Sequence, residues 1–318
     1  ELAYSLDKAL RYHAATTVGR RVYVLGGIVG KDLSTLSRSV HCAQRTASGS
    51  WHSGSRGSMK VKVMQHASVS VDNRIYVIGG FDGSDYLADV RSADVGTGCV
   101  AVSENDWRTE GPLRTRDGNL HRVTGHAAVP VVLENDKKYI YVIGGLAGRP
   151  GHSIPISTVL RAEVGSDGVI TGWDDLGGVN GMPGKWLLTA AVSGRYLYVL
   201  GGTTSPTATT SSAEVYRARI EDDGGLTWLS RPPNLPVPLH AHATAVSKPG
   251  RLYVVGGISN GVLQDKLYFT PLLSFDKVAA PDGPVTFEDT INYTLHLTNL
   301  GVRDFETLDI NDTVKTNV

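Results

Sequence analysis

The sequence predicts an all-β protein that is built from five copies of one four-stranded unit. A motif in which an apolar strand precedes two glycines occurs five times. Its first glycines lie at 26, 79, 144, 201 and 256, so successive copies are 53, 65, 57 and 55 residues apart. The composition agrees with a turn-rich β fold, because Gly at 37 of 318 residues exceeds the usual share of about 7% and charged residues at 19% fall below the usual share of about 25%.

The five copies of the motif are nearly identical. They read Arg21-Val-Tyr-Val-Leu-Gly-Gly27, Arg74-Ile-Tyr-Val-Ile-Gly-Gly80, Tyr139-Ile-Tyr-Val-Ile-Gly-Gly145, Tyr196-Leu-Tyr-Val-Leu-Gly-Gly202 and Arg251-Leu-Tyr-Val-Val-Gly-Gly257. Apolar runs of this kind suit a strand that is buried on both faces. The paired glycines allow the chain to turn sharply where no Cβ fits.

Each motif has the same flanking segments. A strand of small residues precedes it, which suits the innermost strand of sheets that converge on an axis. These strands begin at His13, His66, His126, Leu188 and His242. A variable connection and a third strand follow the motif, and then, in four copies, a strand with one tryptophan (Trp51, Trp107, Trp173 and Trp228). Tryptophan is large enough to fill the wider space between the outer parts of the sheets.

Four strands per unit in five in-phase copies resemble the kelch-repeat β-propeller family, over about residues 1–275. The period is close to the kelch repeat of about 50 residues. This resemblance implies a five-bladed propeller. The fifth copy has no tryptophan strand of its own. We therefore expect the N-terminal segment Leu2–Lys8 to complete the last blade, with Tyr4 at the tryptophan position.

The last 43 residues, 276–318, form a second predicted region. A turn-rich linker is expected at Ser274–Pro284, and Ile291 to Leu297 alternate apolar and polar residues as a strand does. The order of Val285-Thr-Phe, Tyr293-Thr-Leu-His-Leu-Thr-Asn and Leu308-Asp-Ile-Asn-Asp-Thr-Val resembles the immunoglobulin-like repeat of prokaryotic cell-surface proteins. That resemblance implies an exported, surface-attached chain.

The 34 residues from Val285 to Val318 are too few for a complete immunoglobulin-like sandwich, which needs about seven strands. Three alternatives follow. The rest of the sandwich follows Val318 in the natural protein, or the segment folds onto the propeller, or strands of another molecule complete it. The last alternative would join subunits head to tail through residues 285–318 into filaments.

Charge and hydropathy exclude several classes of partner. Lys+Arg and Asp+Glu are 31 each and the isoelectric point is near 7.4, which argues against a general grip on nucleic acid or an anionic membrane. No apolar run approaches about 18 residues, so no membrane span is predicted. Cys42 and Cys99 could pair, and the sequence leaves this open. The chain begins at Glu1 without a Met or a leader, so we expect a processed chain. The resemblance to the cell-surface repeat implies an extracellular or cell-surface location.

The sequence contains no recognisable catalytic constellation, and we expect neither a cofactor nor a metal. The repeated histidines occupy equivalent positions on successive blades, which rotational symmetry should set far apart. We therefore expect each histidine to hydrogen-bond a neighbouring blade rather than to share a metal. Glu221–Trp228 resembles the aspartate-box turn of sialidases, which is a structural turn in that family. Cys42 and Cys99 do not suit the tyrosine–cysteine crosslink of copper-radical oxidases. The alternative is a secreted carbohydrate-active enzyme of the oxidase, sialidase or mutarotase type.

The connections that follow the double glycines and those between blades share one face, and they are long and varied. We therefore predict that this face binds a protein or glycan ligand, in adhesion or as a structural surface component. Aromatic and arginine side chains are frequent binding hot spots. The candidate contacts are Asp82, Asp85, Arg114, Arg116, His121, Arg149, His152 and Trp186. Asn292 and Asn311 lie in possible glycosylation sequons.

Overall fold

The protein forms five antiparallel β-sheets, which we number as blades in chain order. The computed structural model describes residues 6, 9–30, 35–54, 56–247 and 251–269, together with the backbone of strands Leu273–Ala280 and Asn292–Asn299. The blade strands are Ala14–Val18, Arg21–Leu25, Ser39–Arg45 and Trp51–Ser53 in the first blade; Ala67–Val71, Arg74–Ile78, Val90–Asp94 and Arg108–Thr109 in the second; Ala127–Val132, Lys138–Arg149, His152–Glu163 and Asp174–Gly178 in the third; Thr189–Ser193, Tyr196–Leu200, Val215–Ile220 and Leu226–Trp228 in the fourth; and Ala243–Val246, Leu252–Val255 and Leu267–Phe269 in the fifth.

Shorter strands supplement the blades. Leu10–Arg11 pairs with Ile28–Val29, Gly57–Ser58 joins the first blade, Val123–Thr124 joins the third, and Ile258–Ser259 pairs with Val262–Leu263. A single 3-10 turn, Glu104–Asp106, is the helical element of the described residues. The prediction of an all-β fold of repeated sheets is confirmed.

The first strand of each blade is the innermost one. These strands lie side by side from the first blade to the fifth, so the sheets surround a common axis. Their residues are small, as predicted, because Ala, Ser and Thr allow the sheets to approach the axis closely. Ser70 Oγ donates to Thr17 O at 2.6 Å, and Thr189 Oγ1 lies 2.6 Å from Thr244 Oγ1. Hydroxyl groups therefore link neighbouring innermost strands.

The tyrosine in the middle of the motif joins the second blade to the third and the third blade to the fourth. Tyr76 OH donates to Gly168 O at 2.6 Å, and Tyr141 OH donates to Gly224 O at 2.7 Å. The outer tryptophans instead donate hydrogen bonds to the preceding blade. Trp107 Nε1 donates to Ser58 O of the first blade at 3.1 Å, and Trp173 Nε1 donates to Gly111 O at 2.9 Å. The predicted role of the tryptophans between blades is confirmed at these two positions.

The double glycines are required because the next blade lies against them. A Cβ at Gly201, where φ is +62°, would lie 2.5 Å from Leu239 O and 2.7 Å from His242 Cε1 of the fifth blade. The second glycine, Gly202, donates its N–H to Leu239 O at 2.8 Å. Equivalent close contacts occur at Gly26, Gly79 and Gly144. Each of these glycines serves both backbone conformation and blade contact.

Replacing Gly201 by alanine should therefore destabilise the protein more than replacing a glycine that only needs the left-handed conformation. Gly19 is the matched control, because its φ is +58° and nothing lies within 4 Å of a Cβ there. We expect G19A to cost about 1 kcal/mol and G201A at least about twice that, since the latter also displaces the fifth blade. Urea unfolding of both variants measures the difference, and equal costs would contradict the proposed contact.

A disulfide joins the first two blades. Cys42 in the third strand of the first blade is bonded to Cys99, which follows the third strand of the second blade, with a Cα–Cα distance of 5.6 Å. This distance lies in the usual range for a disulfide. The pairing that the sequence left open is thus resolved.

Two connections differ from the sequence prediction. The segment 146–158, expected as a loop, extends the third blade as a hairpin, because Lys138–Arg149 runs through its double glycine with a register shift between Ile143 and Gly145. The expected linker after Ser274 is partly a strand, since Leu273–Ala280 pairs along its whole length with Asn292–Asn299. In the register of that pair, Phe275 lies opposite Leu297 and Lys277 lies opposite Leu295.

Some predictions fall outside the described residues. These are the closure of the fifth blade by Leu2–Lys8 and the position of Asn311. The structure does not show the immunoglobulin-like fold that the sequence predicts for 276–318. Within the described residues, no helix has the length and apolar character needed to cross a bilayer.

Candidate functional site

A cavity of about 450 Å³ lies on the axis, where the five innermost strands begin. Because the second strand of each blade runs antiparallel to the first, the connections after the double glycines emerge at this same end. We call this end the long-loop face. Each blade contributes residues to the lining, which consists of Arg11, Tyr12, His13, Gln65, His66, Gly125, His126, Leu187, Leu188, Ala241 and His242.

A chain of backbone hydrogen bonds runs around the cavity. The residues before the innermost strands (Tyr12, Gln65, Gly125, Leu187 and Ala241) all adopt left-handed conformations, with φ between 51° and 59°. The N–H of Gln65 donates to Tyr12 O, that of Gly125 to Gln65 O, that of Leu187 to Gly125 O and that of Ala241 to Leu187 O, at 2.7 to 2.9 Å. Left-handed backbone is costly for non-glycine residues, so contacts between blades hold this rim in place.

The buried histidines lie between neighbouring blades and also border the cavity. His66, His126 and His242 each place Cε1 within 2.8 Å of the Cβ that the first glycine of the preceding blade would need. His242 also exchanges a hydrogen bond with Thr189 Oγ1 of the preceding blade, at 2.7 Å from Nε2. The predicted hydrogen bond to a neighbouring blade forms at His242, whereas the two buried ring nitrogens of His66 have no hydrogen-bond partner among the described residues. The expectation that symmetry keeps them far apart is incomplete, because all of them line one cavity.

Burial makes these imidazoles neutral. It lowers the pKa of His66 and His126 to about 3 and that of His242 to about 4, with smaller contributions from nearby histidines. Among the described lining residues, Arg11 is the one that carries a charge at neutral pH. No group of three or more His, Cys, Asp or Glu in the described part of the chain is arranged to hold a metal ion. The cavity thus presents neutral polar and apolar groups with one cation at its rim.

None of the eight predicted contact residues lines the cavity. Asp82 and Asp85 lie exposed in the connection of the second blade, where Asp82 Oδ1 accepts the N–H groups of Ser84 and Asp85 at 2.8 Å. Although partial burial opposes the effect, these hydrogen bonds lower the pKa of the Asp82 carboxyl. Asp82 therefore shapes its own loop.

The connection between the second and third blades carries three more of the predicted residues. Arg114 is exposed and donates to Gly118 O at 2.6 Å, within the same turn. The backbone N–H of Arg116 donates to Asp175 Oδ2 at 3.2 Å. His121 is buried, and burial lowers its pKa while Asp175 opposes the shift. Arg116 and His121 are thus brought together beside the third blade.

The remaining predicted residues separate into two positions. Arg149 and His152 pair at the exposed tip of the third-blade hairpin. Trp186 is only 8% exposed, and its Nε1 donates to Ser205 O at 2.8 Å. It packs in a cluster with Tyr86, Leu146, Phe81, Leu187 and Ala208. Trp186 is therefore a packing residue beneath the long-loop face. The sequence had predicted an exposed contact at this position.

Comparisons with known proteins agree with the geometry. A family model described as "Kelch motif" matches residues 64–92, which contain the second double glycine. The chain carries a kelch motif. It is similar to Kelch domain-containing protein 3 of Bos taurus and of Homo sapiens, each 27% identical over 300 residues, with 85% of this chain and 70% of the relative covered. The solved structure of YjhT matches with a TM-score of 0.62 and 15% identity, covering 92% of this chain and 86% of that one, and this likeness shows the fold alone. The protein is a five-bladed β-propeller with a kelch motif.

Sequence reasoning missed the residues that form the rim of the axial cavity. Tyr12, Gln65, Leu187 and Ala241 occupy one repeated position, just before each innermost strand. Their identities differ completely, whereas the flanking motif is nearly constant. These residues could have been identified from the sequence, because their position varies between the repeats while the flanking motif stays nearly constant.

Proposed function

We propose that this kelch propeller binds a partner protein on its long-loop face, with a segment of the partner in the axial cavity. The observation that carries the proposal is the cavity itself, which opens among the long connections and takes lining residues from all five blades. Tyr12 is 41% exposed at its rim, and the Arg11 guanidinium lies 5.6 Å from the Tyr12 ring centroid. Exposed tyrosine and arginine at the mouth of a cavity are typical of binding hot spots.

The surrounding loops support such a contact. The cluster around Trp186 unites connections of the second, third and fourth blades, and Tyr86 OH lies 2.8 Å from Ser153 Oγ in the third-blade hairpin. Loops that are packed against one another lose less conformational freedom when a ligand binds. A preorganised rim favours recognition of one extended segment.

The proposal is tested with peptides selected from a display library against the full chain. We expect R11A to weaken the best peptide at least about tenfold, since it removes a rim cation with its packing on Tyr12. R20A is the matched control, because Arg20 is exposed at the opposite end of the first blade, in the turn between Val18 and Arg21. Calorimetry gives both affinities. Equal effects of R11A and R20A, or binding of glycans instead of peptides, would contradict the proposal.

We also propose that the protein functions outside the cytosol, at the cell surface or in secreted form. The disulfide between Cys42 and Cys99 supports this location, because structural disulfides persist in oxidising compartments. Alkylation of the protein in cells, followed by mass spectrometry, should find both cysteines protected from the reagent. Free thiols in the natural protein would argue for a reducing compartment.

A further inference from the structure

The connection after the double glycine of the fourth blade consists almost entirely of hydroxyl residues. Eight of the ten residues at 203–212 are serine or threonine, the other two are Pro206 and Ala208, and none of the ten carries a charge. The corresponding connections of the second and third blades, by contrast, carry Asp82, Asp85 and Arg149. A segment rich in serine and threonine with proline is typical of chains that carry O-linked sugars.

The structure divides the eight hydroxyl residues into two sets. The buried or half-buried residues are Thr203, Ser205, Ser211 and Ser212, and the exposed ones are Thr204, Thr207, Thr209 and Thr210. The inner set has partners in the rest of the protein, since Ser211 Oγ lies 2.9 Å from His240 Nδ1 and Ser212 Oγ accepts a hydrogen bond from Lys185 Nζ at 2.7 Å. The residues that an enzyme could reach are therefore all threonines.

The loop is anchored by groups other than the exposed hydroxyls. Trp186 Nε1 donates to Ser205 O at 2.8 Å, and Ala208 packs in the cluster around Trp186. The hydroxyls of Thr207 and Thr209 contact Ser205 Oγ within the loop itself, at 3.1 and 2.8 Å. Residues 204–211 belong to no strand, and surface loops of this kind are accessible to other proteins. A group on an exposed threonine thus leaves the anchors in place.

We propose that the exposed threonines of this connection, Thr204, Thr207, Thr209 and Thr210, are acceptors of O-linked sugars. The proposal rests on the proposed location outside the cytosol. In each transfer, threonine Oγ1 forms a bond to the anomeric carbon of a sugar that is activated as a phosphate ester. The bond between that carbon and the phosphate oxygen breaks, and the phosphate leaves with the electron pair. The Oγ1 proton passes to a base of the cellular glycosyltransferase.

Phosphate fits these positions less well than sugar does. A phosphate adds about two negative charges, which arginine or lysine side chains usually stabilise. The segment 203–213 contains no cation, and Lys185, which contacts the loop at Ser212, is only 1% exposed and is already paired with Glu214. A neutral sugar needs no such partner.

The test is site mapping by mass spectrometry on protein purified from the cells that produce it. Arg195 and Arg217 are the trypsin sites on either side of the loop, so one peptide, 196–217, contains all eight hydroxyl residues. We expect this peptide to carry one or more sugars, which electron-transfer fragmentation should place on the exposed threonines. Thr203 should be unmodified, because it is 0% exposed.

The tryptic peptide 92–108 is the matched control. Its Thr97 and Ser103 are exposed but do not lie in a hydroxyl-rich segment, so we expect no sugar there. The variant T204V/T207V/T209V/T210V, made in the same cells, should lose every sugar from peptide 196–217, because valine keeps the shape of threonine without the hydroxyl. A sugar that persists in this variant, equal modification of the control peptide, or phosphate in place of sugar would overturn the proposal.

Alkylation of the same preparation before reduction reports on the location separately. If Cys42 and Cys99 are protected and peptide 196–217 is unmodified, the proposed sugar site is wrong and the proposed location stands. If both cysteines react and the peptide is unmodified, both proposals are wrong. Sugars on the exposed threonines support the site in either case.

Discussion

Replacing Glu214 by alanine should lower the free energy of unfolding by about 3–5 kcal/mol, because it leaves a buried ammonium without its counter-charge. The Lys185 side chain is only 1% exposed, and its Nζ donates to Glu214 Oε2 and, at 2.7 Å, to Ser212 Oγ. Tyr216 OH donates to the same carboxylate oxygen at 2.9 Å, and Arg231 Nη1 donates to the other one at 2.8 Å. Glu214 thus organises a polar network at the junction of the third and fourth blades.

A control within the same blade separates this effect from ordinary surface charge. Arg195 and Asp222 form an ion pair whose side chains are 40% and 75% exposed, so solvent screening should make D222A much less costly than E214A. The double variant K185M/E214Q removes the buried charge together with its partner and should recover part of the loss. Urea unfolding of the three variants tests the prediction. A cost of E214A no larger than that of D222A would contradict it.

The same carboxylate predicts a pH dependence. Partial burial alone would raise the pKa of Glu214, but hydrogen bonds from Lys185, Tyr216 and Arg231 more than offset it and lower the pKa from 4.5 to about 2. Burial lowers the pKa of Lys185, since this ammonium is the more deeply buried partner. Because the folded pKa of Glu214 lies below the unfolded value, its contribution is fully present above pH 4.5 and is lost as the pH falls towards 2. The stability difference between the natural chain and E214Q should therefore shrink as the pH is lowered from 6 to 3.

Removing the disulfide should have an effect of similar size, about 4 kcal/mol for the 57-residue separation that it closes. The bond holds the segment after the third strand of the second blade against the first blade. A Cβ at Gly54 would meet Cys99, and a Cβ at Gly57 would meet the backbone of Val102. Without the bond, the unfolded chain gains conformational freedom and this contact loses its covalent anchor.

The variant C42A/C99A is compared with the natural chain in urea, each with and without dithiothreitol. The reductant should destabilise the natural chain and leave the variant unchanged, which separates loss of the bond from general effects of the reductant. Cys42 is only 2% exposed, so its alanine replacement also removes some packing, and the reduced natural chain gives the cost of the bond alone. An unfolding curve of the natural chain that ignores the reductant would contradict the prediction.

The repeated sheets could be predicted from the sequence because the signal is local and occurs five times. The spacing of the double glycines located every blade, and the tryptophan positions located contacts such as those of Trp107 and Trp173. Glycine is needed in these pairs because a residue of the next blade occupies the space that a Cβ would need. This residue is a histidine about 40 residues further along the chain. The motif therefore predicted the turn, and only the structure shows what the turn accommodates.

Loop length predicted neither the axial cavity nor the residues that line it, and none of the eight candidate contacts is among them. Loop length identified the end of the propeller that carries the cavity, but Trp186 is buried by Tyr86 and Leu146, which are distant in sequence. The disulfide depended in the same way on distance in space, since Cys42 and Cys99 lie in different repeats.

In the hydrogen-bonded rim around the axis, main-chain atoms maintain the structure, whereas the side chains face the cavity. Its links use only main-chain atoms, so the frame does not depend on which side chain each position carries. Tyr12, Gln65, Leu187 and Ala241 already place phenol, amide, isobutyl and methyl groups at one level of the ring. Gly125 is fixed, because a Cβ there would lie 2.8 Å from Trp186. Tyr12, Gln65 and Ala241 are thus open to change without loss of the backbone links, whereas Leu187 also packs in the cluster around Trp186.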